Sequence, residues 1–88
     1  MFSAALELTL VPQGRQLAFA KQARQRVHIY RRVVGEGSAW QHIAYDACSP
    51  FVDPEVFPTG ITLEYHVQHC TQQDDYEGHS PLVQVTLD

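Results

Sequence analysis

Apolar and polar residues alternate most regularly between Ile61 and Gln68, where every second side chain is hydrophobic. Successive side chains of a β-strand point to opposite faces of a sheet, so a period of two predicts a strand with one buried face. The alternation therefore predicts a half-buried strand over Ile61–His69, and the Pro58–Gly60 segment before it predicts a turn.

Shorter runs of the same alternation occur along the rest of the chain, separated by glycine, proline and polar turn residues. Together they predict seven strands, over residues 6–10, 17–19, 27–32, 40–45, 51–57, 61–69 and 82–87. The segments Lys21–Arg26 and Thr71–Ser80 lack this pattern and are predicted to be loops. Seven such strands without a convincing helix predict an all-β fold, a seven-stranded antiparallel Greek-key β-sandwich.

Two of these strands carry further expectations. Pro50 and Pro54 interrupt the irregular fifth segment, and because proline donates no ladder hydrogen bond, this strand is predicted to lie at a sheet edge. In the fourth strand, the alternation places Tyr45 on the face opposite His42.

The length of 88 residues and the hydrophobic fraction of 44% fit one globular domain, spanning residues 1–88. No apolar run approaches the roughly 20 residues that a membrane-spanning helix needs, so no membrane insertion is expected. Met1–Ala5 has no basic residue and Glu7 interrupts the apolar stretch, which argues against a secretory signal. Without such a signal, Cys48 and Cys70 are expected to be free thiols, with one disulfide as the alternative.

Charge is distributed unevenly along the chain. All six basic residues lie between Arg15 and Arg32, whereas every acidic residue except Glu7 lies at or after Glu36. Two interpretations fit this pattern: two solvated faces, or a dipolar domain that docks an oppositely charged partner. A nucleic-acid partner is not expected, because the basic segment is short and the acidic remainder would repel phosphates.

Several segments resemble a fibronectin type III domain. The third strand reads Val-His-Ile-Tyr-Arg-Arg over residues 27–32, a turn followed by Ile-Thr-Leu-Glu-Tyr-His-Val occupies residues 58–67, and Ser-Pro-Leu-Val-Gln-Val occupies residues 80–85. The resemblance covers roughly residues 5–88. It implies a fibronectin type III-like sandwich that presents its surfaces and sheet edges to protein or glycan partners.

The resemblance also implies roles for single residues. Tyr65 would be a tyrosine-corner residue, with its ring in the core and its hydroxyl bonded to a backbone group upstream. Phe19 would take the place of a tryptophan that the family usually carries on its second strand. The residues expected to be structural are Tyr65, Phe19, Ile29, Leu63, Val67, Val83 and Val85. The residues expected to be available for partner contact are Arg31, Arg32, Trp40, Phe51, Asp74, Asp75, Tyr76 and His79.

Five histidines raise the question of a metal site. On a strand, His66 and His69 point to opposite faces, and His66 and Cys70 share a face but lie about 13 Å apart. We therefore expect that the histidines do not share one face, and that the protein has no metal site and no other cofactor. The carboxylates at Asp74, Asp75 and Glu77 lack the spacing of a calcium loop.

Catalysis has no support in the sequence, since neither cysteine lies in a recognisable nucleophile motif. The leading hypothesis is a non-enzymatic structural or protein-interaction module. It resembles the small structural proteins of tailed bacteriophages that decorate capsids or form tails, which implies protein partners in a multi-subunit assembly and a location in the virion or the cytoplasm. The alternatives are a carbohydrate- or cell-surface-binding adhesion module that uses Trp40 and Tyr76, and a small metal-binding protein.

Overall fold

The structure, a computed structural model, describes residues 5–35 and 37–88. The expectation about a secretory signal rests mainly on residues 1–4, which lie outside the described residues. The eight strands are β1 (Leu6–Val11), β2 (Gly14–Phe19), β3 (Arg26–Val33), β4 (Gln41–Ala44), β5 (Phe51–Asp53), β6 (Thr62–Cys70), β7 (Tyr76–His79) and β8 (Val83–Thr86).

These strands form two antiparallel sheets. The smaller sheet has the order β1-β2-β5, and the larger sheet has the order β4-β3-β6-β7, with β8 also paired to β6. Strand β6 is long enough to pair with two shorter strands on one side: β8 lies along Thr62–Tyr65 and β7 along Gln68–Cys70. No helix occurs in the described ranges, so the all-β prediction is confirmed. The prediction that the fifth strand lies at a sheet edge is also confirmed, since β5 pairs only with β2.

One hydrophobic cluster joins the two sheets. The smaller sheet contributes Leu6, Leu17 and Phe19, and the larger sheet contributes alternate residues of β3 and β6. Of the residues expected to be structural, the fully buried ones are Ile29, Leu63, Tyr65 and Val67, and Phe19 is nearly so. Val83 and Val85 are half-buried and pack against the cluster.

The prediction of a loop over Thr71–Ser80 is wrong in part, because this segment contains β7. Strand β7 pairs with the end of β6, where Gln68 lies opposite His79. It is mostly exposed and polar on both faces, so it carries no apolar alternation that a sequence pattern would reveal. The described residues therefore form eight strands rather than the seven predicted.

Strands β3 and β4 do not pair in a constant register. Ile29 lies opposite Ala44 and Tyr30 lies opposite His42, which leaves Ile43 without a partner in β3. An extra residue in one strand reverses the facing of the side chains beyond it. As a result, the rings of His42 and Tyr45 lie together, with centroids 3.7 Å apart, and the prediction that they face opposite ways is wrong.

Candidate interaction face

The outer face of the larger sheet carries a nearly continuous row of rings. We call this surface the aromatic–histidine face; its members are His28, Tyr30, Trp40, His42, Tyr45, His66, Tyr76 and His79. Tyr30 lies at its centre, where its ring stacks on His42 at 4.5 Å and on His66 at 5.0 Å between centroids. Trp40 packs against the His66 ring of this row, with 4.4 Å between the two ring centroids.

The strand register explains why these rings meet. On β3, the outward residues His28 and Tyr30 alternate with buried Val27 and Ile29. Antiparallel pairing then places a ring on each side of Tyr30, since His66 on β6 and His42 on β4 are its two partners. Side chains directly opposite each other on one face of a sheet are close enough to pack. The row is thus a product of pairing between strands that are distant in sequence.

Four of the five histidines lie on this face, so the expectation that the histidines do not share one face is wrong. His69 is the exception: it lies on the inner side of β6 and is fully buried, which agrees with the predicted opposition of His66 and His69. The face nevertheless lacks a metal-binding arrangement, since no group of three or more histidine, cysteine or acidic side chains in residues 5–35 and 37–88 is placed to hold an ion.

The local environment favours the neutral form of two of these imidazoles. Burial lowers the pKa of His42, and the nearby His28 lowers it further. Burial likewise lowers the pKa of His66, with smaller effects from His79 and Arg32. Because an ordinary histidine titrates near pH 6.5, these two rings are uncharged at neutral pH and act there as aromatic surface.

A shallow cleft of about 420 Å³ opens at the β6–β7 side of the face. The polar and aromatic side chains that line it are Arg32, Trp40, His66, Gln68, Tyr76 and His79. The guanidinium of Arg32 lies over the Trp40 ring, 4.7 Å from its centroid, and donates from Nε to Glu64 Oε1 at 2.7 Å. The Tyr76 hydroxyl and His79 Nδ1 share a hydrogen bond.

Four of the residues expected to be available for contact therefore lie together: Arg32, Trp40, Tyr76 and His79. The other four do not join them. Asp74 pairs with Arg26 and His28 at one end of the face, and Asp75 is exposed in the adjoining loop. Phe51 lies on β5 in the other sheet, where it packs against the core.

Arg31 corrects the sequence-based expectation most clearly, because its side chain is buried inside the protein. Its Nη1 donates to Asp53 Oδ2 at 2.9 Å, and its Nη2 donates to Gln41 Oε1 and pairs with Glu55. The guanidinium also lies 4.9 Å from the centroid of the Phe57 ring. Arg31 thus holds elements together and is not available to a partner.

Arg31 belongs to a buried ionic cluster that also contains Arg15, Asp53 and Tyr65. The Tyr65 hydroxyl donates to Asp53 Oδ2 at 2.6 Å and accepts from Arg15 Nε at 2.9 Å. The expectation that this hydroxyl bonds to the upstream backbone is therefore wrong, since both of its partners are side chains. Sequence reasoning missed Arg15 and Asp53. The sequence carries a signal for Arg15 alone, because this residue and the buried Leu17 occupy alternate positions of one strand.

The cluster determines the ionisation of its members. Burial alone would raise the pKa of Asp53, but the hydrogen bonds from Tyr65, Arg31 and Arg15 outweigh it and lower that pKa. Burial, together with the neighbouring Asp53 carboxylate, raises the pKa of Tyr65 well above its usual range. Asp53 is thus an anion and Tyr65 a neutral donor at any ordinary pH, which suits a structural role.

The two charge blocks of the sequence face each other within the fold. Five of the six basic residues make ion pairs with acidic residues of the later block: Arg15 and Arg31 with Asp53, Lys21 with Asp46, Arg26 with Asp74, and Arg32 with Glu64. Only Arg24 has no such ion pair within the part of the chain that the structure describes. The fold therefore pairs most of the basic block with acidic residues of the later block, and the pairs of Arg15 and Arg31 with Asp53 are buried.

The thiols agree with the sequence-based expectation: Cys48 is free and exposed, and Cys70 is free and buried. Within residues 5–35 and 37–88, no helix has the length and apolar character to cross a bilayer. No family model, curated protein or solved structure matches the chain.

Proposed function

We propose that this protein is a non-enzymatic interaction module with a fibronectin type III-like Greek-key sandwich. The order of the strands supports the fold type: the chain passes between the two sheets after β2, after β4 and after β5, as Greek-key sandwiches do. The shared hydrophobic cluster supports a face-to-face arrangement of the two sheets.

The aromatic–histidine face is the observation that carries the proposal. Tyr45 is 73% exposed and Tyr76 is 58% exposed, although both belong to the row of packed rings. Aromatic side chains on a rigid sheet lose little conformational entropy on binding and are enriched among the residues that dominate interfaces. Since five of the six basic residues already have ion pairs within the chain, we expect the rings to supply most of the binding energy, with protein as the partner.

The proposed setting is a multi-subunit assembly, such as a tailed-phage particle in which the module decorates the capsid or forms part of the tail. The support is the resemblance of the sequence to fibronectin type III domains used in that way, together with a surface suited to a fixed partner. This step is an analogy of fold type, and the experiment below tests it directly.

Association with a particle or complex in the native source tests the proposed function. We expect the wild-type protein to co-sediment with its assembly, and the double variant Trp40→Ala/Tyr76→Ala to be lost from it by at least about tenfold, since hot-spot aromatic residues each contribute about 2 kcal/mol or more. Val56→Ala is the matched control, because Val56 is 91% exposed and lies outside the face. Equal retention of both variants, or a wild-type monomer with no associated complex, would contradict the proposal.

A carbohydrate-binding role is the second candidate. Trp40 and Tyr76 line one cleft together with polar side chains such as Gln68, and small-ligand sites combine apolar walls with a few placed polar groups in this way. A glycan array tests this role. Specific binding that Trp40→Ala abolishes would favour it, and an array without binding would remove it.

A further inference from the structure

The ionisable side chains that line the cleft have one property in common: apart from the phenol of Tyr76, each is a cation when it is charged. These are Arg32, His66 and His79. Gln68 and Tyr76 add an amide and a hydroxyl, both of which can donate hydrogen bonds. No carboxylate lines the cleft in the described part of the chain.

The three cationic groups are close to one another. The His66 and His79 rings are 6.4 Å apart between centroids, and the Trp40 ring lies beside His66 and under Arg32. The Glu64 carboxylate contacts Nε and Nη2 of Arg32. The N–H groups on Nη1 of Arg32 take no part in this ion pair. The Arg32 side chain keeps 34% of its surface accessible, which leaves it within reach of a ligand in the cleft.

We propose that this cleft binds the carboxylate of an acidic side chain on a protein partner, and that His66 and His79 take up protons as the carboxylate binds. Arg32 supplies a permanent charge at the side of the cleft, and each of the two imidazoles can add a charge by binding a proton. Hydrogen bonds between a protonated donor and a carboxylate are about twice as strong as neutral ones. The inference rests on the proposed function, since it names the chemistry by which the face recognises its partner.

The groups around His66 explain the coupling to protons. Tyr30 and Arg32 face it from β3, His79 and Tyr76 lie on β7, and Trp40 adjoins it from the segment before β4. Glu64, on the same strand and the same face, is held by Arg32. Burial first, and then the neighbouring His79 and Arg32, lower the pKa of His66. A bound carboxylate attracts the protonated ring and opposes these effects, so the affinity for the carboxylate rises as pH falls.

A peptide titration followed by NMR tests the proposal. The probe is the capped dipeptide acetyl-Glu-Glu-amide, and its neutral counterpart is acetyl-Gln-Gln-amide. We expect saturable shifts of cleft residues with the acidic peptide, with at least about fivefold tighter binding at about pH 5.5 than at about pH 7.5. Each linked proton can change the affinity by up to about tenfold per pH unit, so this expected change lies within the limit that linkage sets. The neutral peptide should give no saturable shift at either pH.

Two variants locate the effect. His79→Gln should weaken binding of the acidic peptide and reduce its pH dependence, since His79 is at the cleft and exposed. His42→Gln, a histidine of the same face that does not line the cleft, should bind as the wild type does. A parallel titration with glucuronate separates an acidic sugar from a protein carboxylate.

Four results would overturn the inference: equal binding of the two peptides, affinity independent of pH, no change in His79→Gln, or tighter binding of glucuronate than of the acidic peptide. These outcomes are separable from the proposed function. Retention in an assembly without carboxylate binding would remove only the inference. Carboxylate binding by a protein that never joins a complex would remove the proposed function instead.

Discussion

Tyr65 donates its hydroxyl hydrogen to Asp53 Oδ2 across 2.6 Å, and this bond joins β6 of the larger sheet to β5 of the smaller one. The two strands belong to different sheets, so their side chains meet only through the core between them. Because Asp53 also receives both guanidinium groups of the cluster, one carboxylate fixes the position of three donors. The bond is therefore a polar link across an otherwise apolar interior.

Removal of the Tyr65 hydroxyl should destabilise the protein. Tyr65→Phe leaves the buried Asp53 carboxylate and Arg15 Nε without one partner each, and we expect a loss of about 1–3 kcal/mol in the free energy of unfolding. Urea unfolding measures it. The control Tyr45→Phe alters an exposed hydroxyl and should stay within about 0.5 kcal/mol of the wild type. Equal stability of the two variants would show that the buried bond contributes nothing.

Asp53 should dominate the acid sensitivity of the fold. The pKa of Asp53 is lower in the folded protein than in the unfolded chain, so its contribution is complete above about pH 4 and is lost as pH falls through the folded pKa. Asp53→Asn should cost about 3–5 kcal/mol at neutral pH, because it removes the buried anion that Arg15 and Arg31 share. Its stability should then change less than that of the wild type below about pH 4.

Unfolding by urea at several pH values between about 2 and 7 measures both effects. Asp75→Asn removes an exposed carboxylate outside the cluster and is the matched control; it should keep the wild-type stability at neutral pH. An Asp53→Asn profile parallel to that of the wild type would show that another carboxylate is responsible.

The interior histidine should make stability depend on pH in a higher range. Burial lowers the pKa of His69, and Glu77 opposes this only in part. An imidazole that is harder to protonate in the folded state stabilises the fold above its unfolded pKa, near 6.5, and this contribution is lost as pH falls below it. The free energy of unfolding should therefore decrease from about pH 7.5 to about pH 5.5, and His69→Gln should reduce that decrease. His79→Gln, at an exposed position, should leave more of it intact.

Gly14 should tolerate no side chain. A Cβ atom at this position would lie 2.1 Å from the backbone oxygen of Asp53, and the φ angle of +145° already disfavours other residues. We expect Gly14→Ala to cost at least about 2 kcal/mol more than Gly35→Ala. Gly35 has a similar φ of +154° but open space around it, so the difference isolates the clash. Similar thermal unfolding of both variants would show that β5 moves aside without cost.

The two thiols should differ in reactivity. Cys48 is exposed, whereas Cys70 is buried and its pKa is raised by burial and by the nearby Asp74, Glu77 and Asp75. A thiol reagent at about pH 8 should label one cysteine rapidly and the second only as the protein unfolds, since the thiolate is the reactive form. Cys48→Ser should remove the rapid phase. Two equally fast phases in the folded wild type would contradict the buried position of Cys70.

The alternation along β6 was sufficient to predict its buried face. Every second side chain of a strand points to the same face, so the alternation can be read from the local sequence alone. Strand β7 could not be found in the same way, since Tyr76–His79 is held by hydrogen bonds to β6 rather than by an apolar face. Sequence patterns therefore located the strands that supply the core and missed the one that depends on its neighbour.

The candidate site was predictable only in its parts. Tyr30, His42 and His66 lie far apart in sequence, and they stack because two registers place them side by side. Arg15 and Asp53 are likewise register partners on β2 and β5. Charged side chains are usually exposed, so a sequence-based assignment places them at the surface. The burial of Arg15 and Asp53, and their pairing, could therefore not be predicted before the sheet order was known.

The unpaired Ile43 has a consequence for contacts between molecules. Strand β4 is an outer strand of its sheet, and a regular outer strand offers a template on which a strand of another molecule can continue the sheet. The shift at Ile43 bends and twists such a strand and interrupts its repeat of donors and acceptors. One surplus residue thus makes the β4 edge, beside the aromatic–histidine face, a poorer template for a strand of another molecule.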